Sequence, residues 1–208
     1  MTQGASVCRV VAVAGVIGSG KSALMRALAQ ALGEPVALSF DDYEMATAQS
    51  PDKLAAWLSD GADFNQLSAP GLVDDLATLQ AGGSVAHRRT GQVVQCQKYV
   101  LFEMPLGRAW QATAAATEVL VWIDTPADVA LARRIREISL GLATRESSQG
   151  RRGLLWLSDY LRHYCNTVRE VLLTQERVVR GQADLVVNGL DEVATNVQRV
   201  LRHLGHTP

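Results

Sequence analysis

Eight consecutive residues, Gly15-Val16-Ile17-Gly18-Ser19-Gly20-Lys21-Ser22, carry the most specific chemistry in this chain. They follow the spacing G-x-x-x-x-G-K-S, a loop whose backbone N–H groups cradle phosphates. Glycines let the backbone turn sharply and approach an anion closely. A helix opening at Lys21 points its positive end at the same place. Lys21 adds a mobile cation for β- and γ-phosphates, and the Ser22 hydroxyl suits Mg²⁺. Gly15, Ile17, Gly18, Ser19, Gly20, Lys21, Ser22 and Ala23 are thus the expected nucleotide-binding residues.

Acids at the ends of apolar runs come next. "VALSFDDYE" ends in Asp41-Asp42-Tyr43. In open parallel sheets, ligands gather at the carboxyl ends of strands. A carboxylate there can accept a hydroxyl proton or orient the hydroxyl for attack on a γ-phosphate. The same pair also reads as turn acids that cap a helix. "YVLFEMPLGR" places Glu103 at a second strand end, and "VLVWID" places Asp124 at a third. Either acid can support Mg²⁺, directly or through water. Glu103 is favoured, because Thr125-Pro126 gives Asp124 a competing role at a helix entry. Arginines concentrate at Arg133, Arg134 and Arg136, then at Arg145, Arg151 and Arg152. Guanidinium forks suit phosphate oxygens. A flap over 133–153, with glycines and small polar residues in "SLGLATRESSQG", would exclude water from the transfer. The plain alternative is a solvated helix face paired with Glu137 and Glu146.

The elements that would position these residues alternate. Strands are expected at Arg9–Ala14, Val36–Phe40, Tyr99–Phe102, Glu118–Ile123 and Ala183–Val187. Helices are expected at Lys21–Leu32, Asp52–Asp60, Gly71–Ala81, Pro126–Ile138, Gly153–Gly181 and Asp191–Leu204. Such alternation predicts a parallel sheet covered on both faces. The 208 residues suit one domain. A net charge of -1 argues against a general nucleic-acid or anionic-membrane binder. The start "MTQGASVCRV" lacks a signal pattern, and no apolar run approaches a bilayer span. Cys8, Cys96 and Cys165 are odd in number and far apart in sequence. They read as free thiols in a reducing cytoplasm.

"GVIGSGKS", "LSFDDYE", "APGLVDDLATLQAGGSV", "VLFEMPLGR", "LARRIRE" and "YLRHYCNTVREVLL" occur in one order over residues 8 to 190. In that order the chain resembles the uridine kinase, phosphoribulokinase and pantothenate kinase group of P-loop kinases. The resemblance implies an α/β three-layer sandwich of the P-loop NTPase class with a parallel five-stranded sheet and an arginine-bearing lid. It implies transfer of the γ-phosphate of ATP, with Mg²⁺, to a hydroxyl of a small metabolite. Asp41 takes the place of the group's catalytic base, Glu103 that of its metal-linked acid, and Arg133 and Arg134 those of its lid arginines. Lys21 completes the catalytic set. Acceptor-side residues would be Asp41, Tyr43, Asp63, Arg88 and Arg108, with Asp60 also within reach. Two features depart from the group. Glu137-Ile138 stands where an Arg-Asp couple is usual, and His87-Arg88-Arg89 replaces the nucleobase-contacting segment. The arginines there suit an anionic acceptor, or decorate a surface hairpin. A homodimer is left open. The competing reading is a nucleotide-dependent regulator or switch without a small-molecule acceptor.

Overall fold

The structure is a computed structural model, and it describes residues 8–43, 56–143 and 147–206, with no side chains described for 147–151. Seven strands and seven helices are named here in chain order. β1 (Arg9–Ala14) feeds α1 (Lys21–Ala31). β2 (Val36–Ser39) ends in a 3-10 turn at Phe40–Asp42. α2 (Leu72–Gln80) is followed by a hairpin of β3 (Ser84–Ala86) and β4 (Val93–Gln95). β5 (Tyr99–Glu103), the short α3 (Gln111–Ala114) and β6 (Val119–Asp124) follow. α4 (Ala127–Ala143) and α5 (Ser147–His163) lead through a π turn at Tyr164–Val168 into α6 (Arg169–Arg180). β7 (Leu185–Asn188) and α7 (Val193–His203) complete the described chain.

The five long-range strands form one sheet in the order β2-β5-β1-β6-β7, every pair parallel. Its register sets the site. Glu103 lies opposite both Val13 and Ser39, so the ends of β1, β2 and β5 converge at one edge. Side chains alternate across a strand, and β1 divides its residues between two cores. Val10, Ala12 and Ala14 pack with Phe102, Trp122, Leu72, Leu76 and Leu79 on one face. Val11 and Val13 pack with Leu24, Leu28, Val121, Val197 and Val200 on the other. Helices therefore cover both faces, giving three layers, and each fully buried aliphatic side chain contributes about 1.5–3 kcal/mol before entropy is charged.

Two expectations are corrected. The segment expected to be a flap is largely helical: α4 continues to Ala143 and α5 begins at Ser147. Alanines and leucines sustain the helix past Gly141 at the modest cost of one glycine. Arg145 and Glu146, and the first residues of the helix expected at Asp52–Asp60, lie outside the described residues, as does the Arg151 side chain. The cysteines are not all free. Cys8 and Cys96 form a disulfide, their Cα atoms 6.1 Å apart. One precedes β1 and the other precedes β5, and these strands are neighbours. Separation in sequence said nothing about separation in space, and the cysteine argument for a reducing compartment loses its ground. Cys165 is free and exposed. Among the described residues no helix is long and apolar enough to cross a membrane.

Candidate active site

The phosphate loop is held by backbone contacts that only glycine allows. Gly18 has φ +80°, and a Cβ there would run into the Ala130 carbonyl of α4. The loop's outer side is pinned by Thr125, whose hydroxyl donates to Ser19 O at 3.1 Å. Ser19 Oγ is buried with no hydrogen-bond partner. Gly20 adopts the left-handed conformation at the N-cap of α1, and the first turn of that helix carries no acid. An unopposed helix N-terminus of this kind favours a bound anion.

Lys21 is the centre of charge. Its Nζ donates to Gly15 O at 3.1 Å and Val16 O at 3.3 Å, and lies 3.9 Å from Glu103 Oε1. Burial pulls the Lys21 pKa down; Glu103 and Asp41 oppose that pull, and Arg134 adds to it. Burial pushes the Glu103 carboxyl up, against Lys21, while neighbouring Asp41 adds to the rise. The Ser22 side chain opposes that rise slightly. Charges from α1, β5, the turn after β2 and α4 thus act on one another. Asp41 is exposed, and its charge acts on both Lys21 and Glu103. Asp124, the alternative acid, is spent elsewhere: its Oδ2 accepts from Arg180 at 3.1 Å.

The two lid arginines point to different places, because adjacent helical residues lie about 100° apart. Arg134 acts on Lys21 and holds Glu137 at 2.8 Å. Arg133 Nη2 donates to Gly189 O at 3.0 Å. It lines a cavity of about 220 Å³ with Ser19, Gly20, Asp191 and Asn196, beside the start of α1. Arg136 is exposed.

The other flank of the site is built by the β3–β4 hairpin. His87 Nδ1 accepts from the Arg89 amide, which leaves Nε2–H to donate to Ala37 O at 2.8 Å. That bond fixes the hairpin turn against β2. Arg89 Nη2 then reaches Asp42 Oδ1 at 2.8 Å. Arg88 sits over the Tyr43 ring at 5.0 Å, with its Nε 3.7 Å from Asp75 Oδ2. Tyr43 is buried and donates to Asp75 Oδ2 at 2.9 Å; burial first, then that acid, raise its pKa. Asp42 is therefore an anchor for Arg89, whereas Asp41 keeps an exposed carboxylate.

Two expected acceptor residues stand apart. Arg108 is a correction. It reaches Thr117 O, Glu118 O and Asp184 Oδ2, groups that precede β6 and β7 at the opposite end of the sheet. The tight turn at Gly107–Ala109 reverses the chain and carries the side chain away. Asp63 is an N-cap that accepts from the Asn65 amide, and this bond lowers its pKa. Asp75, Thr125 and Gln175 touch the site without any motif that announced them, since each is placed by contacts across the fold.

No family profile matches the chain, and no curated protein matches it. Solved structures do resemble it. The shikimate kinase of Aquifex aeolicus vf5 is 17% identical, with 94% of this chain and 96% of that one covered at a TM-score of 0.46. A sugar kinase from Janibacter sp. HTCC2649 is 17% identical over 97% and 96%, at 0.48. The shikimate kinase of Bacteroides thetaiotaomicron is 15% identical over 95% and 98%, at 0.47. Likeness at this level carries no argument about activity, so the functional reading stands on the site itself.

Proposed function

We propose that this protein is a small-molecule kinase that transfers the γ-phosphate of ATP to a hydroxyl group. The 3.9 Å approach of Glu103 to Lys21 at the head of α1, with the charges of Asp41 and Arg134 acting on the same lysine, supports the reading. ATP lies with its phosphates on Gly15 to Ser22 and its base in the cavity lined by Arg133. The hard oxygens of Ser22 and Glu103 fit Mg²⁺, which keeps several waters and phosphate oxygens as ligands. When bound, the ion would neutralise charge on the β- and γ-phosphates. Among the described residues no three His, Cys, Asp or Glu side chains form an all-protein metal cage.

Asp41 accepts the hydroxyl proton as the oxygen forms its bond to the γ-phosphorus and the bond to the β-phosphate oxygen breaks. Lys21 and Arg134 face the charge that builds up on the transferring group. The helical lid carries Arg134 and excludes water from the transfer. The acceptor enters from the hairpin flank. Arg88 stands 3.7 Å from Asp75, farther than a direct hydrogen bond, so its fork keeps donors for a carboxylate or phosphate on the acceptor. A uridine kinase-like acceptor, carried by the resemblance, is the neutral counterpart of that reading.

The test is ADP release from Mg-ATP across nucleosides, sugars, sugar phosphates, pantothenate and hydroxy acids, with Asp41→Asn alongside. Stimulation by one compound, lost in the variant, supports the kinase and names its acceptor class. A flat rate over the whole panel, identical in the variant, favours a nucleotide-dependent regulator instead.

A further inference from the structure

One buried polar side chain outside the proposed chemistry touches the phosphate loop across 160 residues of sequence. Gln175 lies in α6 and is 5% exposed. Its Nε2 donates to Pro105 O at 2.7 Å and to Gly15 O at 3.4 Å. Both partners are carbonyls, so the amide nitrogen must face them, and its two protons match two acceptors. Gly15 O also receives Lys21 Nζ. One loop carbonyl is thus shared by the loop's own lysine and by a residue from the helix that follows the lid.

We infer that Gln175 is a positioning residue for triphosphate binding: it keeps the Gly15 carbonyl satisfied when Lys21 leaves it for the β- and γ-phosphates. This rests on the kinase reading of the loop. The Lys21 ammonium has three protons. In this structure it spends them on Gly15 O and Val16 O while facing Glu103. Reaching a phosphate means giving up carbonyl partners. A buried carbonyl left without a donor is costly. With Gln175 in place, Gly15 O retains a donor throughout the exchange, and the loop backbone has no cause to shift. The second bond, to Pro105 O, ties the same amide to the chain just beyond Glu103. Gln175 therefore braces the two segments between which Lys21 moves. Its effect is specific to ligands that draw Lys21 away, which a purely structural brace would not show.

The experiment compares wild type with Gln175→Met, which has similar length and no N–H donor. Both are titrated with the fluorescent N-methylanthraniloyl derivatives of ATP, with Mg²⁺, and of AMP, which lacks the phosphates that attract Lys21. Binding of the ATP derivative is expected to weaken about tenfold, the scale of one unsatisfied buried carbonyl, with AMP binding the same in both proteins. The same pair is measured in a Lys21→Ala background, where Gly15 O has no lysine to lose. There Gln175→Met should cost no further ATP affinity. Equal losses in both backgrounds, equal losses for both ligands, or no loss of ATP affinity overturn the inference. If the methionine variant does not fold, Gln175→Glu repeats the test with a side chain of unchanged size whose carboxylate lacks the N–H donors. Failure of the wild type to bind the ATP derivative overturns the kinase reading as well. Normal wild-type binding with an unaffected variant overturns the role of Gln175 alone.

Discussion

Arg133 and Arg134 are neighbours in sequence with separate targets: Arg133 reaches the Gly189 carbonyl at 3.0 Å, and Arg134 pairs with Glu137 at 2.8 Å while its charge lowers the Lys21 pKa. The first borders the cavity that the proposed function gives to the base, and the second would face the phosphates of that proposal. Arg134→Ala should therefore lower kcat by about 10²–10³, the usual loss when one donor to developing charge is removed. Arg133→Ala should mainly raise KM for ATP, by about tenfold or less, the scale of one hydrogen bond. Steady-state kinetics on both variants check the split, and identical profiles would contradict the separation.

Lys21 and Asp41 should separate binding from chemistry. Lys21→Ala is expected to reduce turnover by at least about 10²-fold while its circular dichroism matches that of wild type. Asp41→Asn keeps the size of the side chain and removes the base. It should retain ATP affinity by calorimetry and lose about 10²–10⁴ in transfer. Equal loss of binding and transfer would make Asp41 a structural or metal-linked group.

The disulfide closes a loop of 88 residues that includes the phosphate loop, Asp41 and the hairpin. Cross-links of that kind stabilise by about 2–4 kcal/mol, chiefly by restricting the unfolded chain. Reduction, or Cys8→Ser, should lower the urea midpoint accordingly. Thiol titration of the unfolded, unreduced protein should find Cys165 alone, and three thiols after reduction.

Asp184 gives a pH signature at the far end of the sheet. Burial works against its charge, yet the Arg108 guanidinium and the Leu120 amide outweigh burial and hold its pKa below the ordinary carboxylate range. A carboxyl depressed by folding contributes stability above its unfolded value and loses it as pH falls through its folded value. The pair is partly exposed, so solvent screening limits its worth to about 1 kcal/mol. Asp184→Asn should cost that much at neutral pH, and the gap to wild type should close in denaturant titrations as pH falls through the lowered folded value.

The phosphate loop, the five strands and most helices were legible in the sequence because each is written in short-range terms. Glycine spacing fixes the loop. Runs such as "VLVWID" mark strands buried on both faces. Asp41 and Glu103 could be singled out because parallel strands deliver their ends to one edge. The tertiary structure alone decided what depends on pairs distant in the chain. It joined Cys8 to Cys96, gave Asp42 to Arg89 and Asp124 to Arg180, and turned Arg108 away from the loop. It also brought Gln175 to the Gly15 carbonyl. A side chain's partner follows from sheet order and helix rotation, and no local pattern encodes either. The sequence determined which charged and polar groups stand in the glycine loop and at the strand ends, and the packing of distant segments determined which of them are paired.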